Sequence, residues 1–425
     1  MLSLLVFGSM FLLMFIRVPI AVALGLAGIV GLLFMGNIPL TVVAQRMFTS
    51  NDSFPLLAIP YFMLAGELMT KGGVSKRLVR FAGALVGHFR GGLGGIAILA
   101  SSFFAALSGS NAATVAAIGS VMIPTMKDKG YPVGYTAATI AAAGVTGMII
   151  PPSILMVLYG VMAGVSVGDL FIAGFLPGIL ICITFMLLNW WLCKDKEYAQ
   201  EPWSGFAEIW HSFKDAIWAL LMPVIILGGI YGGVFTPTEA AAVACVYGAI
   251  VGFFIYRELQ WKELPKIFFN SALSTAVVML VMNTAGFLAW VLTANEIPQL
   301  LAASMSGFSD SGVVFLILVN MVLLVVGCLM NAAAALPLFA SILLPAAMSF
   351  GVDPLLFGII MVVNLSIGTI TPPVGVDLFV AATISKISLE EIMARIWPYI
   401  VVVIIDLLII TYYPPVSLWL VNVLK

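Results

Sequence analysis

Apolar stretches of about twenty residues recur along this chain from one end to the other, and nothing else in it restricts the fold as severely. A helix needs about that length to cross roughly 30 Å of hydrocarbon. Lipid offers the backbone no water to bond, so N–H and C=O groups must be satisfied inside a helix or around a closed barrel. The runs are rich in Leu, Ile and Ala without two-residue alternation, which selects helices. No soluble core would hide this surface: 62% of the residues are hydrophobic and 9% charged, against roughly a quarter charged in soluble domains. A net charge of −1 gives no basic balance for nucleic acid. Cys182, Cys193, Cys245 and Cys328 are scattered singly, as packing residues are, without metal or redox spacing. The first sixteen residues lack a basic n-region, so no cleaved signal peptide is expected.

The expected fold is an all-α polytopic membrane protein. Helices are expected over 2–16, 18–36, 55–70, 132–165, 168–192, 216–233, 238–256, 270–294, 353–384 and 397–420. Two further stretches, 93–126 and 313–349, are too long for one span and carry small polar residues at their centres, so each reads as a re-entrant helical hairpin. The distribution of basic residues supports this. With the Lys71–Arg90 segment cytoplasmic and both stretches re-entrant, 16 of the 18 Lys and Arg fall inside, leaving Arg46 and Lys425 outside. Making either stretch a single crossing reverses every later loop.

An internal repeat agrees. A shift of 221 places Ser120 on Ser341, Pro124 on Pro345, Gly147 on Gly368 and the pair Pro151–Pro152 on Pro372–Pro373; Asn111 meets Asn331 at a shift of 220. The first hairpin then enters from the cytoplasm and the second from outside, an inverted repeat of the kind on which alternating-access carriers are built. The organisation expected is N-terminal scaffold helices in 1–54, a first repeat in 55–192 with hairpin 93–126 and broken helix 132–165, connecting scaffold helices in 193–269, and a second repeat in 270–425 with hairpin 313–349 and broken helix 353–384.

Chemistry is expected where these helices fail. A Pro pair within a span removes two donors and collides with the preceding turn, so both helices must break near mid-membrane. Such breaks survive only against protein or a cavity, and they free carbonyls for a cation and amides for an anion. Ser108, Gly109, Ser110 and Asn111 interrupt the first hairpin; Gly327, Cys328, Met330 and Asn331 interrupt the second. Neutral hard oxygens at such tips suit Na⁺ better than a transition metal. Thr236 or Thr238 with Pro237 and Glu239 reads as a capped helix start, with an ion-pathway role for Glu239 also open. Glu67, Asp377 and Asp406 are acids in apolar surroundings, each open to a proton-relay role or to being hydrated or paired near a span end. Lys71–Arg90 reads equally as an interfacial helix on anionic lipid or as a plain cytoplasmic loop. His88 and His211 are far apart and share no motif.

Five pieces in order carry a resemblance over essentially the whole chain: Asp52 to Pro60 with Ala65, Gly66 and Glu67; Ser108 to Asn111; Ile150 to Ser153 with Tyr159 and Gly160; Gly233 to Ala241; and Gly368 to Gly375. Together they resemble the large membrane subunit, the DctM family, of tripartite ATP-independent periplasmic (TRAP) transporters. The resemblance implies a bacterial inner-membrane protein working with a small four-helix membrane subunit and a periplasmic substrate-binding protein. It implies Na⁺-driven uptake of an organic acid, of sialic acid or C4-dicarboxylate type, by an elevator movement. It further implies one Na⁺ site at Ser108, Gly109, Ser110, Asn111, Thr146 and Gly147, and a second at Gly327, Asn331, Ser366, Gly368, Thr369 and Thr371. Substrate would lie between the tips, against Asn111, Ser153, Asn331 and Thr371. Two other readings stay open: a stand-alone Na⁺/divalent-anion symporter with the same hairpins, and an intramembrane hydrolase using Ser108 or Ser110, which lacks a His base within the membrane.

Overall fold

The computed structural model describes residues 2–36, 38–194, 196, 198, 202–300 and 311–424, and among them every regular element is helical. The chain opens with α1 (Leu2–Phe15), α2 (Ile20–Met35), α3 (Thr41–Thr49), α4 (Ala58–Lys71) and α5 (Val74–Val86). A first hairpin follows, α6 (Gly92–Ser108) and α7 (Asn111–Asp128), then a helix in two pieces, α8 (Val133–Gly144) and α9 (Ile154–Ala163), then the long α10 (Val167–Leu192). Next come α11 (Gly205–Tyr231), α12 (Pro237–Ile250) and α13 (Leu264–Ala294). The pattern then recurs: a second hairpin, α14 (Gly312–Leu329) and α15 (Ala332–Ser349), a two-piece helix, α16 (Pro354–Gly368) and α17 (Val376–Ser385), and the long α18 (Leu389–Tyr412), followed by α19 (Pro415–Leu424). Seven described helices are long and apolar enough to cross a membrane, or eight if the bent pair formed by α3 and α4 is one span. Shorter apolar helices, α1, α2 and the pieces of the broken helices among them, supply the rest of the apolar segments.

The repeat is visible in the backbone. α7 and α15 start 221 residues apart, as do α8 and α16, while α9 and α17 start 222 apart, as do α10 and α18. One residue is therefore added between the two pieces of the second broken helix. Ser110 caps α7 and Asn331 caps α15 through their side-chain oxygens. The structural counterpart of Asn331 is thus Ser110, and the pairing of Asn111 with Asn331 at a shift of 220 is off by one residue.

Several expected boundaries change for local reasons. The span expected over 397–420 is two helices parted at Tyr413 and Pro414, because consecutive prolines at 414 and 415 withdraw donors and push the preceding residue out of helical geometry. α11 starts at Gly205 rather than 216, since its first turns are held by charge: Arg80 of α5 reaches Glu208 at 2.9 Å and Asp215 at 3.0 Å. Most of the Lys71–Arg90 segment is the helix α5, whose Lys76, Arg77 and Arg80 meet protein carboxylates. Arg77 pairs with Glu258 at 2.7 Å and stacks on the Tyr256 ring at 3.8 Å, and Lys76 reaches the same carboxylate at 3.4 Å. Burial would raise the Glu258 carboxyl, but the hydrogen bond and charge of Arg77, with Lys76 beside it, bring it below the usual range.

Two packing groups result. α2 and α4 lie against α13, and α4 against α12. The hairpins and broken helices pack with α10 and α18, and α13 also contacts α15. The expected capped start of α12 is present: Thr236 accepts from the Glu239 amide and Glu239 accepts from the Thr236 amide at 2.8 Å.

Candidate functional site

Each hairpin tip lies against the break of its own repeat. α6 stops at Gly109, which adopts φ +62°, a left-handed conformation that glycine takes without a Cβ penalty. Ser110 is extended, and α7 restarts on it. Opposite lies the interruption from Ile149 to Ser153, where two prolines stop α8 and its short 3₁₀ extension; Ser153 then caps α9 by accepting from the Met156 amide. The approach is backbone to backbone. A Cβ on Gly147 would fall 2.6 Å from the Ser110 carbonyl oxygen, and one on Gly109 would fall 2.8 Å from that of Pro152. In the second repeat a Cβ on Gly368 would lie 2.3 Å from the carbonyl carbon of Gly327.

The first tip is rich in buried hydroxyl and carbonyl oxygens. Ser108 Oγ and Thr114 Oγ1 are 2.9 Å apart, and Thr114 donates to the Ser110 carbonyl at 2.9 Å. Thr146 is fully buried, with its hydroxyl donating to the Ala143 carbonyl at 2.8 Å. Asn111 leaves this cluster and crosses to the other repeat, its amide donating to Thr369 Oγ1 at 2.9 Å. Thr369 Oγ1 also lies 2.6 Å from the Ser366 carbonyl and 2.5 Å from the Asp377 carboxylate. Asn111, Ser366 and Asp377 are each fully buried, yet Asn111 Oδ1, Ser366 Oγ and Asp377 Oδ1 have no hydrogen-bond partner among the described residues.

The expected residues therefore divide. Ser108, Ser110 and Gly147 come together at the first tip, and Gly327 meets Gly368 at the second. Ser366 and Thr369, expected to serve the second tip, join Asn111 of the first. Asn331, expected at the second cation site and against substrate, is exposed, and its side-chain oxygen is taken by the Ala333 amide at 2.9 Å. Thr371 turns back to the Ile367 carbonyl at 2.8 Å, and Ser153 to the Met148 carbonyl at 2.5 Å. Among the described residues none of these three side chains hydrogen-bonds to the Asn111–Thr369 cluster. Asp377 and Thr114 were missing from the expected site. Asp377 had a readable sign, an acid in the first turn after a Pro-Pro-Val-Gly break, whereas Thr114 looks like any small residue within an apolar helix.

Two buried asparagines extend the polar core behind the second tip. Asn364 of α16 donates to Asn320 of α14 at 2.8 Å, and Asn320 donates to Thr411 of α18 at 3.2 Å. In the other seam Thr184 of α10 donates to Asp406 of α18 at 2.6 Å, so of the expected alternatives Asp406 is buried and paired.

Comparison with known proteins fixes the family. Residues 7–416 match the model of the tripartite ATP-independent periplasmic transporter, DctM component. The chain is 38% identical over 436 residues to the C4-dicarboxylate TRAP transporter large permease protein DctM of Rhodobacter capsulatus, covering 99% of each chain. It is 45% identical to the protein of the same description from Pseudomonas aeruginosa, covering 94% of each. Against the isethionate TRAP transporter permease protein DctMQ of Oleidesulfovibrio alaskensis it is 43% identical, spanning 97% of this chain and 65% of that longer protein. The fold is similar to that of the YdaH transporter of Alcanivorax borkumensis, with a TM-score of 0.62 at 17% identity and 89% of each chain covered. An all-helical chain with these breaks and tips, matched from end to end, belongs to the DctM family of TRAP transporters: it is a large, multi-pass permease component of the bacterial inner membrane.

Proposed function

We propose that this permease conducts Na⁺-coupled uptake of an organic acid, delivered by a periplasmic binding protein and supported by a small four-helix membrane subunit. The observation that carries the reading is the group of three buried, unpartnered oxygens, Asn111 Oδ1, Ser366 Oγ and Asp377 Oδ1, where the first hairpin tip meets the second break. Leaving such oxygens unpaired in a dry interior costs several kcal/mol in total, at ~1–3 kcal/mol each. A hard alkali cation takes oxygen ligands of this kind, and the absence of His and Cys from the group disfavours a transition metal. The first-tip oxygens of Ser108, Gly109, Ser110, Thr146 and Gly147 form the neighbouring candidate, and Gly327 with Gly368 and Thr371 the backbone-lined one opposite. Asn331 and Ser153 remain candidates for substrate through their positions beside tip and break. Bound Na⁺ would supply positive charge for a carboxylate lying between the tips.

Relatives named for C4-dicarboxylate, isethionate and sialic acid support an organic anion as the cargo. The close backbone contacts bind each hairpin to its broken helix, so that the two could move as one body against α2, α4 and α13, as an elevator requires. Re-entrant hairpins suit this better than crossing ones, because a tip ending at the break delivers its free carbonyls to mid-membrane. One net positive charge moving inward at 100 mV gains ~2.3 kcal/mol, close to fifty-fold accumulation before the Na⁺ gradient is added.

The test is uptake into proteoliposomes holding the permease, its small subunit and the binding protein, scanning radiolabelled organic acids with and without an inward Na⁺ gradient. Uptake that is equal in Na⁺ and in choline refutes the coupling. Full uptake without the binding protein refutes the tripartite route and leaves the stand-alone symporter.

A further inference from the structure

A cavity of ≈ 180 Å³, lined by apolar residues and six polar ones, lies in the seam between the two packing groups. One wall is Glu67 and Thr70 of α4 with Ser271 and Ser274 of α13; the other is the first hairpin tip, with Ser108 and Ser110. We propose that this seam is a second cation site, in which Glu67, Ser271 and Ser110 hold a monovalent cation released from the tip. The inference rests on reading the tip as a cation site; it shares Ser110 with that tip and adds Glu67 and Ser271 from the opposing group.

Three observations carry it. Glu67 is half-buried and makes no hydrogen bond or ion pair among the described residues, and no Lys, Arg or His lines the cavity. An acid within the apolar region of a membrane protein is costly unless a cation answers it. Ser271 is 5% exposed, lines the cavity, and its hydroxyl has no hydrogen-bond partner. A carboxylate substrate is the wrong occupant, because it would meet Glu67 with no base to offset the repulsion. The cavity has room for a cation that keeps a few of its waters, each taking ~30 Å³.

Position gives the site its role. Glu67 and Thr70 stand in the last turns of α4, just ahead of Lys71 and the basic α5, and Ser271 stands in the third turn of α13, after Lys262 and Lys266. This is the end of the molecule that the positive-inside rule assigns to the cytoplasm. Ser110 belongs to the hairpin and Glu67 to the opposing group, so a cation here touches both sides of the seam. It is a way station on the cytoplasmic exit route, and its occupancy rises with internal Na⁺.

Thallous ion, a monovalent probe located by anomalous scattering, tests the assignment in crystals of the intact transporter. A peak between Glu67 and Ser271, displaced by excess Na⁺, lost in Glu67→Gln and weakened in the milder Ser271→Ala, is the expected result. A peak at this seam without one at Asn111 and Asp377 upholds the inference while removing the ion site of the preceding section. A peak at Asn111 and Asp377 alone, or no peak at either place, overturns it. In proteoliposomes Glu67→Gln is expected to raise the internal Na⁺ concentration that half-inhibits uptake about tenfold, the factor equal to ~1.4 kcal/mol. An unchanged half-inhibiting concentration also overturns the proposal.

Discussion

Replacing Gly368 with Ala drives a methyl group into the second hairpin tip. The new carbon would stand 2.4 Å from the Gly327 Cα and 2.5 Å from its carbonyl oxygen, with the carbonyl carbon closer still. Unbonded carbons rest at roughly 3.5–4.0 Å, so the tip and the break must separate by about 1 Å. No flexible side chain can absorb this, because every one of these atoms is backbone. Overpacking of this kind costs ~1–3 kcal/mol, and a backbone neighbour puts it at the upper end. The functional loss is larger, since a displacement of ~1 Å at a positioned site is worth on the order of 10²-fold in rate. Gly228→Ala in α11 is the control: nothing lies within 4 Å of its Cβ position, and a mid-helix alanine gains up to ~1 kcal/mol. Thermal unfolding in detergent and the initial rate of Na⁺-driven uptake are measured for both. If Gly368→Ala transports at the wild-type rate with an unchanged midpoint, the hairpin and broken helix do not form a tight positioned unit, and the argument for the site fails.

Asn111→Leu removes a bond between the two repeats together with one of the three buried oxygens, and is expected to lower Na⁺-dependent uptake at least tenfold. Asn331→Ala removes a helix cap and is expected to cost ~1 kcal/mol in thermal unfolding with a smaller loss of uptake than Asn111→Leu; the reverse ranking in the uptake assay would show the wrong tip was favoured. Thr236→Ala at the start of α12 should also cost ~1 kcal/mol, read as a lower unfolding midpoint with the Na⁺ dependence of uptake unchanged. Glu258 has its carboxyl held below the usual range in the folded protein, so its contribution is complete above the unfolded value near 4.3 and fades as pH falls through the lower folded value. Protection factors of the α5 amides, taken relative to intrinsic exchange at each pH, are therefore expected to fall in acid, and Glu258→Gln, costing up to ~1 kcal/mol, to lower them at neutral pH and remove the acid dependence.

The seams explain which residues were legible. Asn111 and Thr369 are 258 positions apart, and no periodicity announces that an amide on one tip will reach a hydroxyl beside the other break. Asp377 read from sequence as a relay, hydrated or paired acid alike, and only the packing of both repeats around it shows complete burial. Asn331 looked equivalent to Asn111 because a one-residue offset is small in a sequence comparison. On a helix that offset turns a side chain by about 100°, enough to make one asparagine a buried cross-link and the other a surface cap.

By itself the sequence determined the solvent, the helices and the places where helices must stop. Those follow from local rules: apolar length against bilayer thickness, proline without a donor, glycine free of a Cβ. Tertiary structure alone decided which oxygens face one another, because hydrogen-bond partners are set by the rotation and approach of whole helices. The cross-repeat cluster at Thr369, the ion pairs that pin α5, and the acid-lined seam beside the first tip all belong to that second class.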